Sequence, residues 1–147
     1  MARYTARVPA PISAEAAFAT LVRFDRAADW DPGVESGVML TSGPPAEGTR
    51  FELGVRFLGR TVPVDYEIVE LEPGRKVVLR AETRTFRSVD TITVEHDGPS
   101  RSVVEYDARL EALGPGRLLE PVLGIVFRRI GDRGADGLRH YLAGVAA

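Results

Sequence analysis

The chain has 147 residues, 44% hydrophobic and 27% charged, with a formal net charge of −2. That balance suits one soluble globular domain with a sizeable core, and its charge calls for neither nucleic acid nor an anionic membrane. The absence of cysteine excludes disulfides, zinc ribbons and thiol catalysis.

The first residues alternate, with Tyr4, Ala6 and Val8 on one side, and predict a strand over 2–8. In "PISAEAAFATLVR", Ser13 is placed to cap a helix, Glu15 suits its first turn, and Ala17, Phe18, Leu21 and Val22 share a face. A second short helical piece is expected over 25–29, ending before "WDPG", where Pro32 disfavours helix at Asp31. From Val34 to Leu113 the period becomes two. Six strand-like runs are separated by "TSGPPAEG", "LGR", "EPGR", "TFR" and "DGPS". Connections this short join antiparallel neighbours, because a parallel crossover needs a dozen residues or more.

The last element is "LLEPVLGIVFRRIGDRGADGLRHYL", Leu118 to Leu142, one long helix despite Pro121 and glycines at 124, 131, 134 and 137. At 100° per residue, Leu119, Leu123, Val126, Phe127, Ile130, Leu138 and Tyr141 share one side, and the arginines and aspartates the other. Gly134 falls within the apolar stripe and is read as a packing glycine. Gly124 and Gly131 fall on the other flank and are read as having no packing role. Small residues would let this helix lie close to a bent sheet at one end and stand away from it at the other. Such elements make a single α+β domain over 1–147. No signal peptide or membrane span is evident, and the expected location is cytoplasmic. Neither His96 nor His140 has a second histidine at ligand spacing, and no nucleophile elbow or phosphate-binding glycine loop occurs, so neither metal nor cofactor is expected.

Several stretches resemble the START-like helix-grip superfamily, also called SRPBCC or polyketide cyclase/dehydrase and lipid transport. They are Val8-Pro9-Ala10-Pro11, Trp30-Asp31-Pro32-Gly33-Val34, Tyr66-Glu67-Ile68, Asp90-Thr91-Ile92-Thr93 and the terminal helix. The resemblance covers essentially the whole chain. It implies a seven-stranded antiparallel curved sheet wrapped on the C-terminal helix, with two short helices between strands one and two.

In that arrangement a hydrophobic or aromatic small molecule would be bound between sheet and helix. Strand alternation and the helical stripe nominate Phe51, Leu53, Phe57, Val64, Tyr66, Leu79, Asp90, Ile92, Tyr106, Leu119, Leu123 and Phe127 for its wall, with Trp30 and Phe86 from the connections. Asp90 would face inward near Tyr66 and Tyr106, a set able to orient a polar group or move protons. The blander reading pairs Asp90 with Arg84 or Arg87 at a strand end. Trp30 is either a pocket-mouth residue or a core anchor. Phe86 is either a residue closing over a ligand or an edge aromatic packed on the helix. The turns Leu58-Gly59-Arg60 and Thr85-Phe86-Arg87 resemble the gate and latch loops of hormone-binding relatives. Three functions follow: a binder of lipids, quinones or polyketide-like molecules; a cofactor-independent polyketide cyclase or dehydratase using Asp90, Tyr66 or Tyr106; and a chaperone-activator-like interaction module. The last would need an exposed apolar patch, which no stretch forces. A homodimer is left open.

Overall fold

The structure, a computed structural model, describes residues 1–57 and 59–146. Leu58, in the expected gate turn, lies outside the described residues. The elements are β1 (Ala2–Ala10), α1 (Ala14–Leu21), a 3₁₀ segment (Phe24–Asp29), β2 (Val34–Met39), β3 (Arg50–Phe57), β4 (Arg60–Glu72), β5 (Lys76–Glu82), β6 (Phe86–His96), β7 (Ser102–Ala112), a second 3₁₀ segment (Gly114–Leu119) and α2 (Glu120–Ala146). The strands form one sheet in the order β1-β7-β6-β5-β4-β3-β2, every pair antiparallel. Register shifts near Val34/Ser36 and Ile68/Glu70 add twist and bend. This is the expected α+β helix-grip architecture. Two details differ from expectation. The second short helical piece is 3₁₀, and α2 begins at Glu120, because Leu118 and Leu119 belong to the preceding 3₁₀ segment. Pro121 then sits in the first turn of α2, where its missing N–H breaks no helical bond.

The Ser13 hydroxyl accepts the Ala16 N–H at 3.1 Å and starts α1, while Ala14, Ala17, Phe18 and Leu21 are its buried face. The larger core joins this face to Phe51, Leu53, Ile68, Leu79, Ile92 and Val104 of the sheet and to Leu138 and Leu142 near the end of α2. A separate, smaller cluster of Ala2, Ala112 and Leu123 holds the beginning of α2, with Phe86, Leu110 and Phe127 against it. The helix is thus seated at both ends. That corrects the expectation of a helix close at one end and raised at the other: the hollow lies under its middle.

Two seats are made by glycines. A β-carbon on Gly137 would overlap the Trp30 carbonyl oxygen, and one on Gly131 would overlap the Tyr4 ring. Gly131 therefore has a packing role, contrary to expectation, because the Tyr4 ring lies flush against the helix there and its hydroxyl donates to Asp132 Oδ1 at 2.8 Å. Gly134 is buried, with the Asp31 carboxylate at ordinary contact distance from any added β-carbon. Gly124 has nothing near it. Leu118 of the second 3₁₀ segment and Val122 and Ile125 of early α2 are exposed, apolar residues that alternation and periodicity do not single out.

These glycines should respond oppositely to alanine. Gly124→Ala is expected to stabilise by up to about 1 kcal/mol by removing a helix-breaking residue from open space. Gly137→Ala is expected to cost about 1–3 kcal/mol through overpacking. Urea unfolding of the two variants measures both signs.

Candidate functional site

Between the two clusters lies a cavity of about 260 Å³. An engineered apolar cavity of about 150 Å³ is enough for benzene, so this one has room for a larger ring system. Its floor is explained by small residues on the inward face. Ala6 lies across from Tyr106, Ala108 across from both Tyr4 and Asp90, and Ala81 across from both Tyr66 and Ser88. Short methyl groups there leave empty the space that leucines fill elsewhere. The roof is Phe127, Ile130, Gly131, Gly134, Ala135 and Leu138 of α2.

Of the nominated residues, Trp30, Leu53, Phe57, Val64, Tyr66, Phe86, Asp90, Tyr106 and Phe127 line the cavity. Phe51, Leu79 and Ile92 face the same side of the sheet but are fully buried in the larger core. They do not line the cavity, because the first 3₁₀ segment, whose Phe24 ring meets Phe51 at 6.4 Å, packs into the same core with α1 and the end of α2. Leu123 belongs to the smaller cluster, and Leu119 lies in the 3₁₀ segment before α2; neither reaches the cavity wall. Trp30 is both core and wall: it is 8% exposed and meets the Tyr106 ring edge to face at 6.0 Å. Phe86 also combines its two readings. It packs on the smaller cluster and meets Phe57 edge to face at 5.3 Å. Those two rings come from β6 and β3, with β4 and β5 between them in the sheet, so the curl of the sheet brings them together at one end of the hollow.

Asp90 is 6% exposed, and among the described residues no arginine pairs with it. Its Oδ2 accepts the Tyr106 hydroxyl at 2.5 Å and its Oδ1 accepts the Ser88 hydroxyl at 3.0 Å. Arg87 pairs instead with Glu82 and Glu111 on the outer face, which disposes of the strand-end pairing. Burial pushes the Asp90 carboxyl up to about 6, against the opposing effect of the Tyr106 and Ser88 hydrogen bonds, and the Asp31 charge adds to the rise. Burial likewise raises the Tyr106 and Tyr66 phenols, with the Asp90 charge next in importance.

Sequence reasoning missed Asp31 as a site residue. It follows the 3₁₀ segment, and its Oδ1 accepts the Gly33 N–H at 2.8 Å, an Asx turn for which "DPG" is the signal. Its carboxylate lies under Gly134 and on the cavity wall. Burial raises its pKa, and the Gly33 N–H offsets part of that. Tyr4, Phe24, Thr83, Thr85 and Ser88 also line the cavity and were not nominated. Among the described residues no group of His, Cys, Asp or Glu is arranged to hold a metal ion, and no helix is long and apolar enough to cross a membrane.

A carboxyl whose folded-state pKa lies above its ordinary value near 3.8 favours folding most when protonated. The Asp90 contribution is fully present below about pH 4 and is lost as pH rises through 6. The charged form then costs on the order of 3 kcal/mol. Asp31 acts with the same sign, while Tyr66 and Tyr106 stay protonated across this range. Urea unfolding at pH 4.5 and 7.5 should therefore show Asp90→Asn gaining on the unsubstituted protein as pH rises. An equal difference at both pH values would contradict it.

The family model described as polyketide cyclase/dehydrase and lipid transport matches residues 1–143. Among solved structures, a START superfamily protein from Mycobacterium smegmatis has 16% identity and a TM-score of 0.74, covering 95% of this chain and 96% of its own. An aromatase/cyclase from a Streptomyces species has 17% identity and a TM-score of 0.73, covering 95% and 92%. A Thermus thermophilus protein has 17% identity and a TM-score of 0.76, covering 99% of each chain. At these identities the structures attest a shared fold. No curated protein sequence matches the chain. With the family model spanning nearly its whole length, the chain belongs to the polyketide cyclase/dehydrase and lipid transport family.

Proposed function

We propose that this protein binds a hydrophobic or aromatic small molecule in the cavity between sheet and α2. The observation that carries the reading is the hollow itself. A domain with a core this well filled on either side retains unfilled space in the middle, walled by Leu53, Val64, Phe127 and the Trp30, Tyr66 and Tyr106 rings. Apolar walls with a few convergent polar groups describe a ligand site. Emptiness costs stability in lost dispersion contacts, a cost a guest would remove. Lipids, quinones and polyketide-like aromatics share the needed chemistry, and an aromatic ring system suits the edge-to-face walls best.

A second reading is favoured by one observation, the Asp90–Tyr106 hydrogen bond beside the cavity. A carboxyl raised to about 6 and a phenol within 2.5 Å could exchange a proton with a bound polyketide near neutral pH. Positioning a flexible substrate for ring closure, as in a cyclase or dehydratase without cofactor, would supply the remaining rate advantage. Asp90→Asn would then abolish turnover of such a substrate while leaving it bound.

Trp30 is the single tryptophan and lines the cavity, so its fluorescence reports occupancy. Titration with neutral hydroxyanthraquinones is expected to quench it saturably. Ala108→Phe, which places a ring on the cavity floor, should weaken that binding at least tenfold while cooperative unfolding is retained. Quenching that is unchanged in Ala108→Phe would place the ligand elsewhere.

A further inference from the structure

We propose that the cavity selects a protonated amine carried on an aromatic ring system, because its two carboxylates, Asp31 and Asp90, face one apolar hollow with no cationic side chain on its wall. The inference rests on the cavity being a ligand site and names the class of ligand.

Among the lining residues there is no arginine, lysine or histidine, although the chain carries 19 lysines and arginines. Two arginines close to the wall are engaged elsewhere: Arg87, three positions before Asp90, with Glu82 and Glu111, and Arg56, between the lining residues Val55 and Phe57, with the Pro32 carbonyl. Two like charges therefore share a poorly solvated space, and each raises the energy of the other. A buried charge without a partner is costly. Here the missing partner has a place to sit.

The hydrogen-bond inventory points the same way, independently of charge. Ser88 and Tyr106 direct their only hydroxyl hydrogens to Asp90. Tyr66 is 9% exposed and lines the cavity; the Ser88 hydrogen goes to Asp90, so the Tyr66 oxygen gains none from it, and its own O–H is the one hydroxyl donor left for a guest. Asp31 accepts one backbone N–H at Oδ1, and its Oδ2 has no partner among the described residues. Carboxylates only accept when ionised, so the hollow is rich in acceptors and poor in free donors. An ammonium group brings three donors and a positive charge. The Trp30 and Tyr106 rings, held edge to face at 6.0 Å, add π faces that attract a cation. An anionic guest meets two carboxylates and, from Tyr66, a single hydroxyl donor, so it is disfavoured against a neutral or cationic one.

Three matched probes test this by calorimetry at pH 7.5: 2-(2-naphthyl)ethylamine, 2-(2-naphthyl)ethanol and 2-naphthylacetate. The amine is expected to bind at least about tenfold tighter than the alcohol, the scale of one charge-assisted hydrogen bond, and the acetate weakest. Asp31→Asn and Asp90→Asn, each confirmed folded by a cooperative thermal transition, should shrink the amine-to-alcohol ratio towards one. Equal binding of amine and alcohol, or tightest binding of the acetate, overturns the amine preference and leaves the cavity as a ligand site. A tenfold preference that survives both substitutions also overturns it, because the carboxylates would not be its source. Failure of all three probes to bind overturns the ligand-site reading together with the inference.

Discussion

The helix α2 is fastened to the two cores near its ends, and between them it passes over the hollow, meeting the Tyr4 ring at Gly131. Near its beginning, Leu123 and Phe127 join Ala2, Ala112 and Phe86; near its end, Leu138 and Leu142 enter the main core. Gly137 against the Trp30 carbonyl and Gly131 against the Tyr4 ring fix how closely the rod approaches its neighbours. A helix held this way cannot simply sink into the sheet when the inward face beneath it turns to alanine. Each glycine costs roughly 1 kcal/mol of helix propensity, and the close seats at Gly131 and Gly137 are what offsets it.

From that constraint the electrostatics follow. A hollow under a fixed roof excludes most of the solvent that would screen a carboxylate, and burial is the leading cause of the raised pKa of both Asp31 and Asp90. Asp90 is tolerated because two hydroxyls are directed at it, and Asp31 because it closes its own turn. Polar groups held at such expense inside an apolar wall are characteristic of sites that must recognise something.

Much of this was legible in the amino-acid order, and the remainder was not for identifiable reasons. Alternation of period two placed Leu53, Val64, Tyr66, Asp90 and Tyr106 on one inward face, because successive strand residues point oppositely. It cannot say which inward residues α1, the first 3₁₀ segment and the end of α2 cover, which is why Phe51, Leu79 and Ile92 are solid core and not wall. The alanines at 6, 81 and 108 were readable as inward but not as a floor, since that needs the register of β1, β7, β6 and β5. Asp31 escaped because it lies in a loop, where no periodicity assigns a direction. Gly131 was misjudged because its partner, Tyr4, lies 127 positions earlier, across from Ala108 on β1.

On this reading the space beneath α2 is left unfilled by the protein's own side chains and can hold a guest. Diffraction from crystals equilibrated under xenon pressure tests it directly, since xenon enters apolar cavities that stay dry. A xenon atom is expected between Leu53, Val64 and Phe127, with the helix undisplaced. A structure with no xenon there, and with Phe127 and the Trp30 ring collapsed onto Ala108, would contradict it.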